Sequence, residues 1–117
     1  MHLMRRLLLP ADNAFWEAHW RPSTDLYRTP EGYLVKLDIA GVRPEDVRIS
    51  VSGRKLKVKG SRRDRAMHEG CRCYRLEIAY SGFEREIELP VELDPADIAT
   101  EFRDGMLLVR ISSDEGE

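Results

Sequence analysis

The segment His68-Glu69-Gly70-Cys71-Arg72-Cys73 holds the side chains best suited to metal or redox chemistry. One histidine and two thiols supply at most three ligands, and a structural zinc site takes four. Cys71 and Cys73 are also too few, and too close in sequence, to build a disulfide framework. They are read as reduced thiols, with cross-linking between subunits as the minor alternative. No other constellation of catalytic type is present. The chain lacks a glycine-rich phosphate loop, a Gly-x-Ser-x-Gly elbow and paired histidines at ligand spacing, and Ser81 has no arranged partner. These residues predict no enzyme, no metal and no cofactor. The run Arg54, Lys55, Lys57, Lys59, Arg62, Arg63, Arg65 is basic enough to raise nucleic-acid binding. Alternation places its lysines on one strand face, where solvated charge also discourages edge aggregation. That is the preferred reading.

Composition supports it. The chain has 117 residues, 42% hydrophobic and 34% charged, with a formal net charge of −2 and a pI near 6.0. Such a length suits one domain with one core, and a dedicated nucleic-acid binder is usually strongly basic. No apolar run approaches the roughly 20 residues that span a bilayer. The start, Met1-His2-Leu3-Met4-Arg5-Arg6-Leu7-Leu8-Leu9-Pro10, is charged, but its apolar run covers only Leu7 to Leu9. An export signal needs about 7–15 apolar residues, so a cytoplasmic protein is expected.

The elements that must position these side chains follow from periodicity. Residues 1–22 read as an arm, with Asp12 or Asn13 capping a short helix over Ala14 to Trp20 that Pro22 ends. Phe15, Trp16 and Trp20 spread around that helix, either packing onto the domain or forming a sticky contact surface. From residue 23 to 112 the period is two. Tyr33, Val35, Leu37 and Ile39 form one apolar row; Val47, Ile49 and Val51 a second; Leu56 and Val58 a third. Tyr74, Leu76, Ile78 and Tyr80 form a fourth, and Phe83, Ile87 and Leu89 a fifth. Turn residues fall between the rows at Pro30-Glu31-Gly32, Gly41 to Pro44, Ser52-Gly53, Ser81-Gly82, Pro90 and Asp94-Pro95. A single helical turn is allowed near Pro95-Ala96-Asp97. The fold class is therefore all-β: two antiparallel sheets packed as an immunoglobulin-like sandwich.

Arg85 is in register with Phe83, Ile87 and Leu89, so it faces the apolar side of its strand. A charge there needs a carboxylate or carbonyl partner, at a cost of several kcal/mol otherwise. An ion pair is the leading expectation, and a solvated arginine the alternative. Gly60 to Arg75 breaks the rhythm as a long polar loop, with a short strand expected at Cys71-Arg72-Cys73-Tyr74. Residues 113–117 form a short acidic tail.

Glu101 to Ile111 reads as a strand, a tight turn at Asp104-Gly105 and a second strand. Together with Leu37-Asp38-Ile39-Ala40-Gly41-Val42, Pro44-Glu45-Asp46-Val47, Leu56-Lys57-Val58-Lys59-Gly60 and Phe83 to Pro90, it resembles the small heat-shock protein (α-crystallin) family. Ala40 stands where that family usually has proline. The resemblance covers residues 21 to about 111.

It implies an α-crystallin domain acting as an ATP-independent holdase chaperone that binds unfolding proteins. It implies a dimer in which Cys71, Arg72, Cys73 and Tyr74 pair with the Asp25, Leu26, Tyr27 edge of a second copy, with Arg85 near that contact. The family's C-terminal isoleucine-any-isoleucine/valine motif has no counterpart in the six residues after Ile111. A dimer or modest oligomers held by the arm are therefore expected. A groove between Val47, Ile49 and Val51 on one side and Ile98 and Phe102 on the other becomes the expected client site. Covering ~300 Å² there is worth roughly 7 kcal/mol gross, against association costs of about 4–15 kcal/mol. Holding would then need several weak sites on one assembly. The alternative is a co-chaperone-like sandwich that binds one folded partner. Nucleic acid and membrane are not expected partners.

Overall fold

The computed structural model describes residues 20–64, 69–94 and 96–113. Seven strands carry the chain: β1 (Thr24–Thr29), β2 (Gly32–Asp38), β3 (Val47–Ser52), β4 (Lys55–Ser61), β5 (Gly82–Glu88), β6 (Asp97–Arg103) and β7 (Met106–Ser112). They form a four-stranded sheet in the order β1-β2-β7-β6 and a three-stranded sheet in the order β3-β4-β5. Every ladder is antiparallel.

Register shows how alternation becomes a core. Tyr33, Val35 and Leu37 oppose Ile111, Val109 and Leu107, and Ile98 and Phe102 oppose Ile111 and Leu107. These residues share the inner face of the larger sheet. On the smaller sheet, Leu56 opposes Ile87 and Val51, and Val58 opposes Arg85 and Ile49. Val35, Leu37, Leu56, Val58, Leu107 and Val109 are completely buried where the two faces meet. The connection from β5 to β6 adds Leu89, Val91 and Leu93 to the same core. It is pinned by the Leu89 and Leu93 N–H groups donating to the carbonyls of Arg54 and Gly53.

The Asp104-Gly105 turn is as expected, with φ of 51° and 78° at its two central residues. Positive φ at both positions is the type I′ arrangement that matches strand twist. Its Gly105 carbonyl accepts from the Ile39 N–H at 3.1 Å, which ties the hairpin tip to the end of β2.

Several expectations need correction. Tyr74, Leu76, Ile78 and Tyr80 form no strand, and neither does Cys71 to Tyr74; residues 71–78 are exposed. A strand needs a ladder partner as well as a pattern, and these residues find none among the described residues. Trp20, expected to close a helix, instead makes a parallel bridge to Phe83; the remainder of that helix lies outside the described residues. A 3-10 turn at Pro44–Asp46 was not anticipated. It begins with proline, whose fixed φ suits the first helical position. Near the expected turn at residues 95–97, the Ala96 N–H donates to the Leu93 carbonyl at 3.2 Å. Asp114 to Glu117 also lie outside the described residues.

The segment entering β1 decides which edges remain open. Trp20 N–H donates to the Gly82 carbonyl at 3.3 Å, and the Ser23 carbonyl accepts from Asp38 N–H at 3.0 Å. The chain therefore runs along β5 and crosses to β2, with Pro22 buried at the crossing. β1 consequently sits on the β5 side of the sandwich. β3 and β6, the opposite ends of the two sheets, share the other side.

Candidate interaction surfaces

On the β3/β6 side, neither strand has a second ladder partner among the described residues. Val47, Ile49 and Ile98 pack partly against the core, whereas Val51 and Phe102 remain 37% and 38% exposed. An inward-facing row that ends half in water, beside unpaired backbone N–H and C=O groups, is suited to an added strand with apolar side chains. The structure thus places all five residues on the inner faces of two open edge strands. Val51 is wetter than its ladder partner Leu56, which is completely buried, because β3 is the edge strand of its sheet.

On the other side, Leu26 lies on the inner face of β1, opposite Val35, yet is 45% exposed. Four strands stacked on three leave the outermost one partly uncovered. Tyr27 is on the outer face, its hydroxyl donating to Asp25 Oδ2 at 3.3 Å and its ring 5.2 Å from Lys36 Nζ. Cys71 and Cys73 are exposed free thiols, and Tyr74 is 94% exposed. Within one chain these residues do not join the Asp25 to Tyr27 edge; no ladder links them. Among the described residues, no group of three or more potential metal ligands comes together.

Arg85 finds a carbonyl instead of a carboxylate. Its Nη1 donates to the Pro22 carbonyl at 2.6 Å, while its Nε is buried without a partner. Burial, with a smaller contribution from the Arg21 charge, lowers its guanidinium pKa. The residue ties the entering segment to β5 and leaves one donor unused.

Three members of the basic run are paired with carboxylates, two of them across the smaller sheet and one in the turn beside it. Lys55 meets Glu86 at 3.4 Å, Lys57 meets Glu84 at 3.5 Å and Arg54 meets Glu92 at 3.6 Å. On the larger sheet, Glu101 accepts from Arg110 at 2.7 Å and Arg103 at 3.0 Å. Those two hydrogen bonds, Arg110 first, hold its carboxyl below the usual carboxylate range.

Arg62 stands apart from that run, and nothing in the local sequence distinguishes it from Arg63. Its Nε donates to the Ala79 carbonyl and its Nη1 to the Ala40 carbonyl, both at 3.0 Å. Its Cζ lies 3.7 Å from the centroid of the Trp20 ring. Trp20 also meets Phe83 edge to face, with centroids 5.3 Å apart. Of the three arm aromatics, Trp20 is the one within the described residues, and it is packed onto the sandwich.

The model of the Hsp20/alpha crystallin family matches residues 25–117. This chain belongs to the Hsp20/alpha crystallin family. Small heat shock protein C2 of Rickettsia felis is 27% identical over 94 residues, covering 80% of this chain and 61% of that protein. The 21.9 kDa heat shock protein of Oryza sativa is 32% identical over 111 residues, covering 87% and 51%. The 22.7 kDa class IV heat shock protein of Pisum sativum is 30% identical over 88 residues, covering 74% and 45%. The chain thus spans about half the length of these relatives. Among solved structures, heat shock protein 16.0 of Schizosaccharomyces pombe is similar with a TM-score of 0.72 at 26% identity, covering 83% of this chain and 90% of that one. The hspA of Xanthomonas axonopodis gives 0.68 at 27%, covering 86% and 100%. The seven-strand sandwich is thus the α-crystallin domain of that family. No helix among its described residues is long and apolar enough to cross a membrane.

Proposed function

We infer that this Hsp20-family chain is an ATP-independent holdase of the cytoplasm, binding partly unfolded proteins through the β3/β6 edges. The carrying observation is the combination of two strand edges that are open among the described residues with apolar rows that end at half-exposed Val51 and Phe102. An unfolding protein offers the complement: extended backbone with alternating apolar side chains. Backbone hydrogen bonds supply sequence-tolerant affinity, and the apolar rows favour clients with exposed cores.

The same physics supports a dimer. Among the described residues, the exposed Cys71, Arg72, Cys73 and Tyr74 have no ladder partner, and neither does the outer edge of β1 at Asp25, Leu26 and Tyr27. Each supplies what the other lacks, and a second copy can bring them together. Arg85 lies at the foot of that edge, through its bond to Pro22. The residues before the sandwich, Phe15 and Trp16 among them, add client or assembly contacts.

The test is turbidity of a heat-denaturing model protein with and without this chain, in the absence of nucleotide. Suppression that rises with chain concentration and falls in Val51→Asp and Phe102→Asp is expected. No suppression at molar excess overturns the reading.

A further inference from the structure

The geometry points to Arg62 as a latch that couples Trp20, the junction with the N-terminal residues, to the root of the long loop between β4 and β5. The loop leaves β4 at Arg62 and returns to β5 at Gly82. At its mouth, the Arg62 N–H donates to the Ser81 carbonyl at 3.0 Å. The side chain adds two bonds at 3.0 Å, one to the returning limb of the loop at Ala79 and one across to Ala40. That second bond runs beside Gly41, where an added Cβ would lie 3.3 Å from Arg62 Cδ. The remaining guanidinium face lies on the Trp20 ring at 3.7 Å. A planar guanidinium can donate in its plane and stack on its face at once, which an ammonium cannot do.

One side chain therefore holds three segments, and Trp20 is held from two directions, by Arg62 and by Phe83. Taking Trp20 from this seat exposes the guanidinium face and loosens the loop root. Opening the loop root removes one wall of the Trp20 seat. The coupling is reciprocal because it is a free energy shared by two sites. A partly buried cation–aromatic contact of about 1 kcal/mol corresponds to roughly a fivefold effect of each site on the other, at 1.4 kcal/mol per tenfold. The consequence for regulation rests on the proposed function: a client or neighbour that captures Trp20 would loosen the loop that joins two copies.

The test is amide hydrogen exchange on the full chain, comparing Trp20→Ala, Trp20→Phe, Arg62→Ala, Arg62→Lys and the double variant Trp20→Ala/Arg62→Ala. Expected is about fivefold faster exchange at the Arg62 amide in Trp20→Ala, and a matching rise at the Trp20 amide in Arg62→Ala, read through backbone bonds that neither substitution removes. The double variant should show no further increase beyond the larger single effect. Trp20→Phe and Arg62→Lys, which preserve bulk and charge respectively, should give intermediate rises. Effects confined to each variant's own segment, or multiplying in the double variant, overturn the latch, as does parental exchange in Arg62→Lys. Subunit exchange between labelled copies is followed in the same variants: coupled amide exchange with an unchanged subunit-exchange rate keeps the latch and counts against the loop as the subunit contact.

Discussion

Replacing Leu76 and Ile78 together by serine tests whether the long loop is covered by a second copy. Fully burying such a side chain is worth about 1.5–3 kcal/mol. Leu76 is 44% exposed and Ile78 58% exposed within one chain. A partner that covers these fractions gains about 0.7–1.3 kcal/mol at Leu76 and 0.9–1.7 kcal/mol at Ile78. The double variant should therefore weaken the dimer by about 1.6–3.0 kcal/mol, a 15- to 140-fold rise in dissociation constant. The covered part of each side chain also contributes within the chain, so melting is recorded separately at concentrations where the parent is monomeric. About 1 kcal/mol per site is expected there. Sedimentation velocity over a concentration series reads the dissociation constant directly. A value within threefold of the parent's would refute the reasoning, because these apolar atoms would then be wet in the assembly too.

Gly60→Ala should destabilise the sandwich by about 2–3 kcal/mol, the upper part of the range for overpacking. The new Cβ would lie 2.6 Å from the Asp46 carbonyl oxygen and 2.9 Å from the fully buried Phe83 ring; a urea midpoint equal to the parent's would contradict that packing. Arg85→Ala removes the charged donor that holds Pro22 and should cost about 1.5–3 kcal/mol, visible as a lower melting temperature. Glu101→Gln probes a carboxyl held below its ordinary range by Arg110 and Arg103. Its stabilisation is present above the unfolded pKa and lost as pH falls through the lowered folded pKa. The variant should melt below the parent at neutral pH and converge with it in acid; a gap that widens on acidification would reverse the assignment.

Much of this was legible in the sequence because the core obeys a local rule. Tyr33, Val35, Leu37, Leu56, Val58 and Phe83 alternate with neighbours that are polar except for Gly32, Leu34 and Gly82, and the structure buries all six. Asp104-Gly105 announced its hairpin because few other pairs accept positive φ twice. The row from Tyr74 to Tyr80 misled for the same reason: alternation reports a face that could be covered, not whether a neighbouring strand is present. Arg85 was expected inside with a partner, but whether that partner was a carboxylate depended on residues far away in sequence. Pro22 precedes it by 63 positions. Arg62 was illegible altogether, since its role exists only where residues 20, 40 and 79 converge.

The unequal widths of the two layers set an arithmetic of rims. One loop per copy can seal one rim of another copy, and a mutual trade of this kind closes on itself at two members. The strip beside Trp20 already shields β5 in part. In the proposed pair, β3 and β6 of each copy would keep the edges that are open among the described residues. Growth of the proposed pair through those strands would compete with the client binding proposed for them. Each recruited neighbour would fill a berth, and each one shed by warming or dilution would reopen it, so capacity would follow crowding without any chemical signal.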